Sequence, residues 1–172
     1  MKTIFYSVLF LGLFNSSPTH NIQNISEVEV TFKIKNLGIS VGGKFTDVIF
    51  ESDFNKDDLD NSFINATIKV NSLDTDNKKR DEHLMKADFF NVEVFPSIKF
   101  SSTKIERLQD NSYSLIGDLT IKNTTKLVTI PVLINNTTLN ASFTLNRKDY
   151  GVGGNSWIMS NKVKIEVSLV LH

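Results

Sequence analysis

Arg80-Asp81-Glu82-His83-Leu84-Met85-Lys86-Ala87-Asp88-Phe89-Phe90-Asn91-Val92-Glu93-Val94-Phe95-Pro96 is the stretch that decides the fold. The sequence on either side of it alternates like strand; this piece does not. From Asp76 to Phe90 charges are dense and neither Gly nor Pro occurs. Leu84, Ala87 and Phe90 fall three apart, the spacing of one face of a short helix. Pro96 then fixes φ and favours an extended entry into the next strand. The expectation is a polar helical connector with an aromatic end, set into an otherwise β-rich chain. Such a connector can cover a sheet face or plug the end of a barrel.

Working outward, Val28, Val30, Phe32 and Ile34 alternate with Glu29, Thr31, Lys33 and Lys35. A period of two with β-branched and aromatic residues predicts a half-buried strand. Lys44 to Phe54 reads as a second strand, with Phe45 inward. Its alternation slips at Val48-Ile49-Phe50, which predicts a bulge. In the third, Ser62 to Val70, the residues Ile64, Ala66, Ile68 and Val70 share one face. Beyond the connector, a fourth strand turns Ile98 and Phe100 inward. A fifth carries Tyr113, Leu115, Gly117, Leu119 and Ile121 on one face, and a sixth Val128, Ile130, Val132 and Ile134. Asn135-Asn136 is a hairpin signal. Ala141, Phe143 and Leu145 mark the seventh strand; Val163, Ile165, Val167, Leu169 and Leu171 mark the eighth.

One buried face per strand is the antiparallel pattern. Closure of eight strands into a barrel would remove exposed edges. A two-sheet sandwich gives nearly the same alternation, so periodicity leaves that choice open.

The chain has 172 residues, 40% hydrophobic, with a formal net charge of zero, which suits one domain with a substantial core. Neutral charge gives no reason to expect nucleic acid as a partner. The absence of cysteine excludes disulfides, thiolate metal sites and thiol catalysis. His20, His83 and His172 stand at no metal-ligand spacing. Ser101-Ser102 has no nucleophile elbow around it, and Gly151-Val152-Gly153-Gly154 lacks the strand-to-helix context of a phosphate loop. Lys2 followed by the apolar run Ile4 to Phe14 has the form of a secretory leader, shorter than the roughly 20 residues a membrane span needs. We expect a signal peptide over residues 1–19, a single domain over 20–172, and a periplasmic or secreted protein.

Read with its flanks, the connector resembles the YceI-like family: Ser72-Leu73-Asp74-Thr75, Arg80-Asp81-Glu82-His83-Leu84, Asp88-Phe89-Phe90-Asn91-Val92 and Pro96-Ser97-Ile98-Lys99-Phe100. Three further stretches follow the family's order. They are Lys35-Asn36-Leu37-Gly38, Gly117-Asp118-Leu119-Thr120-Ile121 with Thr125-Lys126, and Asn146-Arg147-Lys148-Asp149-Tyr150-Gly151. Together they cover roughly residues 27 to 171. Asn123 departs from the pattern, standing where the family's turn has Gly.

The resemblance implies an exported, eight-stranded antiparallel lipocalin-like β-barrel with a short helical insert between strands 3 and 4. It also implies a polyisoprenoid or similar amphiphile, such as an isoprenoid quinone or lipid, as the bound partner. No cofactor is required. A homodimer stands among the expectations.

The inward faces are almost wholly apolar, as an apolar tail would want; the same residues would serve equally well as plain core. The expected lumen set is Phe32, Ile34, Phe45, Ile68, Val70, Phe89, Phe90, Phe100, Leu119, Ile121, Phe143, Trp157 and Val167. For Trp157 a barrel mouth and a core position are equally good readings. Arg80, Asp81, His83, Arg147 and Asp149 are expected at the barrel end or on a ligand head group, with Arg147 paired to a carboxylate of the insert. His83 with Asp81 or Asp88 could form a general base, but a charged connector needs polar groups to cap and pin itself. A non-catalytic binding protein is therefore the expectation. An enzyme acting on a lipid near Arg80, His83 and Arg147, or a ligand-free domain with a packed lumen, are the alternatives.

Overall fold

The structure, a computed structural model, describes residues 25–135 and 137–171. The expected leader and its cleavage point lie outside the described residues, as does Asn136. Among the described residues ten strands form one antiparallel sheet. They are β1 (Ile25–Asn36), β2 (Ile39–Phe45), β3 (Val48–Asp53), β4 (Phe63–Lys69), β5 (Leu73–Asp74), β6 (Ser97–Gln109), β7 (Ser112–Ile121), β8 (Thr124–Ile134), β9 (Thr138–Asn146) and β10 (Met159–Leu171). The only α-helix among the described residues is α1 (Lys78–Leu84).

The expected count of eight strands is corrected to ten among the described residues, by a split of the second strand and by the added β5. The predicted second strand is two strands, and a break at Thr46-Asp47 replaces the predicted bulge. The halves serve different neighbours: β2 pairs with β1 and β5, while β3 pairs with β4. β3 restarts the alternation, with Val48, Phe50 and Ser52 more buried than Ile49 and Glu51. β5, two residues long, was not expected.

The sheet order is β3-β4-β6-β7-β8-β9-β10-β1-β2-β5. No ladder joins the edge strands β3 and β5, so the expected closed barrel is a curled half-barrel. The covalent chain itself crosses the seam at Thr46-Asp47. There the Thr46 amide donates to the Ser72 carbonyl at 3.2 Å, and the Lys69 amide donates to the Asp47 carbonyl at 3.0 Å.

The helical insert falls between β5 and β6 and is shorter than the Leu84/Ala87/Phe90 spacing predicts. Asn77 caps α1, its side-chain oxygen accepting from the Arg80 amide at 3.1 Å. After Leu84 the chain winds into turns: the Phe90 amide donates to the Leu84 carbonyl at 3.1 Å, and the Asn91 amide to the Lys86 carbonyl at 2.9 Å. Ala87 is exposed, while Leu84 and Phe90 are half-buried. In the tight β7–β8 turn the left-handed residue is Lys122 (φ +55°), not Asn123, so Gly is not needed at Asn123.

Inward residues build two adjoining clusters. One, centred on Ile64, Tyr113, Leu115, Val132, Leu139 and Leu169, fills one part of the interior. The other is built on Val30, Phe45, Val70, Leu73, Ile98, Leu119, Ile121, Tyr150 and Val152. Cross-strand pairing lines residues up in rows. Val30, Val167 and Ala141 face one another across β1, β10 and β9; next come Phe32, Ile165 and Phe143, then Ile34, Val163 and Leu145. Gly117 is required where β7 meets β6, since a Cβ there would stand 2.4 Å from the Ser101 carbonyl and 2.8 Å from the Phe100 ring.

Candidate functional site: an apolar cavity under the helical insert

The rows do not all pack shut. A cavity of about 560 Å³ opens inside the half-barrel, lined on one side by Ile34, Val163 and Leu145, with Phe32 and Ile165 in the next row. Phe143, the third member of that row, packs instead against the first cluster, so the cavity ends there. Val41, Phe45, Ile98, Ile121 and Val152 complete the apolar walls, and Leu84, Phe89 and Phe90 of the insert cover them. Phe45 meets Phe90 edge-on at 6.3 Å and Phe32 at 5.7 Å, tying strand to insert. The volume lies within the roughly 300–1,000 Å³ of small-molecule pockets. Two other depressions, of about 440 and 800 Å³, share Glu29, Thr31 and Glu166, and the larger also shares Phe32, Val41, Thr75 and Arg80 with the cavity.

Polar groups gather around this apolar space. Thr75, 4% exposed, is held by two residues of α1. Arg80 donates from Nε to Thr75 Oγ1 at 2.8 Å and from Nη2 to the Thr75 carbonyl at 2.5 Å. Asp81 accepts from the Thr75 amide at 3.0 Å and from its hydroxyl at 2.5 Å. The helix is thereby pinned to β5, with Arg80 on the cavity wall.

Arg147 is 5% exposed, and the expected carboxylate partner from the insert is absent: no ion pair involves Arg147 among the described residues. Backbone carbonyls surround it instead. Nε donates to Ser160 at 2.9 Å, and Nη1 to Val152 at 2.7 Å, Gly153 at 2.9 Å and Gly154 at 3.1 Å. Nη2 donates to Ser156 and Met159 at 3.3 Å, and to Asn161 Oδ1 at 3.2 Å. Burial pulls the guanidinium below its ordinary pKa. The side chain thus staples the loop from Val152 to Asn161 against the cavity.

This loop is sewn to the insert through backbone groups. The Gly153 amide donates to the Asp88 carbonyl at 2.8 Å. Lys122 Nζ donates to the carbonyls of Ala87 at 3.3 Å and Gly151 at 3.1 Å. Gly153, at φ +73°, has no room for a Cβ, which would stand 2.8 Å from Phe89 and 2.7 Å from Met159.

Of the expected lumen set, Phe32, Ile34, Phe45, Phe89, Phe90 and Ile121 line the cavity. Ile68, Val70, Phe100, Leu119, Phe143 and Val167 are packed in the two clusters and do not line it. Trp157 is 92% exposed and does not line the cavity, which removes the core reading for it. Of the polar set, Arg80, His83 and Arg147 line the cavity. Asp81 does not, being spent on Thr75. Asp149 lies outside, accepting from Asn146 at 3.0 Å with Lys126 at 3.7 Å. The residues not foreseen fall in two groups. Ile98, Leu145, Val163 and Ile165 stood on predicted inward faces and carried a signal. Thr75, Val41, Tyr150 and Met159 were brought in by turns and by the β2 break.

His83 Nε2 and Asp88 Oδ2 stand 3.3 Å apart, both 59% exposed, and the imidazole meets Phe89 edge-on at 5.0 Å. A pair so open to water contributes little to holding the insert in place. His83→Ala is expected to leave affinity for an apolar fluorescent probe within a few-fold of wild type, measured by titration of folded protein. A lipid-modifying reaction that disappears with this substitution would contradict the assignment.

The class defined by this geometry is an all-β protein with an interior apolar cavity capped by a short insert. The YceI-like domain model matches residues 21–171, and the chain belongs to the YceI-like family. A UPF0312 protein of Photorhabdus laumondii is 37% identical over 107 residues, 62% of this chain and 53% of its own length. A UPF0312 protein of Yersinia pestis is 40% identical over 104 residues, 59% of this chain and 53% of its own. The chain thus spans about half the length of these curated relatives. Among solved structures, Burkholderia cenocepacia BcnA superposes with a TM-score of 0.80 at 25% identity, over 86% of this chain and 99% of its own. A polyisoprenoid-binding domain from Saccharophagus degradans superposes with a TM-score of 0.65 at 9% identity, over 88% of this chain and 97% of its own, a likeness of fold alone.

Proposed function

We propose that this chain is an exported binding protein that holds a polyisoprenoid or similar long apolar amphiphile inside the half-barrel. The observation that carries the reading is the apolar cavity of about 560 Å³, walled by strand residues and roofed by Leu84, Phe89 and Phe90. Each methylene moved from water into it contributes about 0.8 kcal/mol before ordering costs. The polyisoprenoid-binding neighbour supports the ligand class. Binding rather than turnover is supported by the side chains: Arg147 is spent on backbone carbonyls and Arg80 on Thr75, and the His83–Asp88 pair, though on the cavity wall, is largely open to water. Export, to the periplasm or outside the cell, is supported by Lys2 and the apolar run that follows it.

The test is protein purified from its native host, extracted with organic solvent and read by mass spectrometry, with N-terminal sequencing of the same sample. A stoichiometric isoprenoid or comparable lipid, on a chain beginning between about Ser17 and Asn24, is expected. A lipid-free extract would remove the ligand assignment; an intact Met1 would remove export.

A further inference from the structure

We propose that the cavity selects a ligand bearing a carbonyl oxygen, and that the Tyr150 hydroxyl is the donor that reads it. This rests on the binding reading above and specifies what that site prefers. Tyr150 is 3% exposed and lines the cavity. Buried tyrosine hydroxyls normally find a hydrogen-bond partner. Among the described residues this one has none; the bonds of its own turn run between the Gly151 amide and the Lys148 carbonyl and between the Val152 amide and the Arg147 carbonyl. The other buried side-chain donors on the wall, Thr75 and Arg147, are both engaged.

The surroundings narrow the class of acceptor. Arg147 gives its donors to loop carbonyls, yet its positive charge remains at the wall without a carboxylate. Arg80 adds a second cation, against the single carboxylate of Asp88, which stands beside His83. That field disfavours an ammonium group and favours an oxygen carrying partial negative charge. A fully ionised phosphate would have to shed its water against mostly apolar walls, where Tyr150 is the one fully buried side-chain donor without a partner among the described residues, an unfavourable exchange. A neutral carbonyl needs one donor, and one is present. Burial, and then the Asp149 carboxylate, hold the phenol above its ordinary pKa, so it keeps its proton near neutral pH.

The test compares geranylgeranylacetone with a hydrocarbon of the same tail, by competition against a fluorescent lipid on wild type and Tyr150→Phe. The substitution is expected to weaken the ketone about five- to tenfold and the hydrocarbon by less than twofold. Equal changes for both probes, or none for the ketone, would overturn the inference while leaving the cavity reading intact. Failure of the wild type to bind either probe would overturn both. Urea unfolding of the ligand-free proteins gives a second readout. An unpartnered hydroxyl can be removed at no cost, so Tyr150→Phe should unfold at the same denaturant concentration or higher; a clearly lower midpoint would show a protein partner and overturn the inference.

Discussion

Arg147→Met is expected to lower the stability of the fold by about 3 kcal/mol or more, read from urea unfolding. Two effects oppose each other. Burial of the guanidinium has a desolvation cost, visible in its lowered pKa, and methionine removes that cost. Methionine also leaves the carbonyls of Val152, Gly153, Gly154, Ser156, Met159 and Ser160 without this donor. An unsatisfied buried acceptor costs about 1–3 kcal/mol. Gly154 is exposed and can turn to water, but Val152 and Gly153 are buried and have less recourse. The loss of several acceptors outweighs the relief of one cation. Arg147→Lys should recover part of the loss, since ammonium offers three donors but no fork. An unfolding midpoint unchanged in Arg147→Met would contradict the staple.

The second large effect concerns the space itself. Affinity for prenyl alcohols should rise with tail length by about 0.8 kcal/mol per buried methylene, then level off when the cavity is full. Leu145→Trp should bring that plateau to a shorter tail and weaken the longest ligands by about tenfold or more, the value of two methylenes displaced. Leu145 suits the purpose because it stands on the cavity wall beside Val163 and is half-buried. Leu119 does not: at 6% exposure it belongs to the packed cluster off the cavity, so a lysine there would test folding rather than ligand.

Much of this architecture is legible in the alternation of the chain. Val28 to Ile34, Ile64 to Val70 and Tyr113 to Ile121 turn inward as their period of two requires, because a strand with one buried face leaves no other register. Which inward residues border empty space is not legible. Phe32 and Phe143 occupy the same row and have the same chemistry, yet only Phe32 meets the cavity. Phe32 packs with the residues of the insert and Phe143 with the first cluster, so the difference rests on contacts far apart in sequence.

The break at Thr46-Asp47 carries no Gly or Pro and is set by which strands β2 and β3 must join across the seam. The end of α1 at Leu84 likewise lacks a stop signal. Arg147 misleads for a physical reason. Buried cations usually find carboxylates, so an ion pair is the natural expectation. An irregular loop that turns its carbonyls inward does the same work and leaves no trace in composition. Trp157 shows the limit from the other side: it belongs to that same loop and is exposed.

The account stands most directly on whether a tail enters the half-barrel. The deciding measurement is a fluorescence-competition titration of prenyl alcohols of increasing length on folded wild type and Leu145→Trp. The account predicts affinity that climbs with length and then levels, with the plateau reached at a shorter tail in Leu145→Trp. Affinity independent of tail length, or a plateau unmoved by the tryptophan, would contradict it.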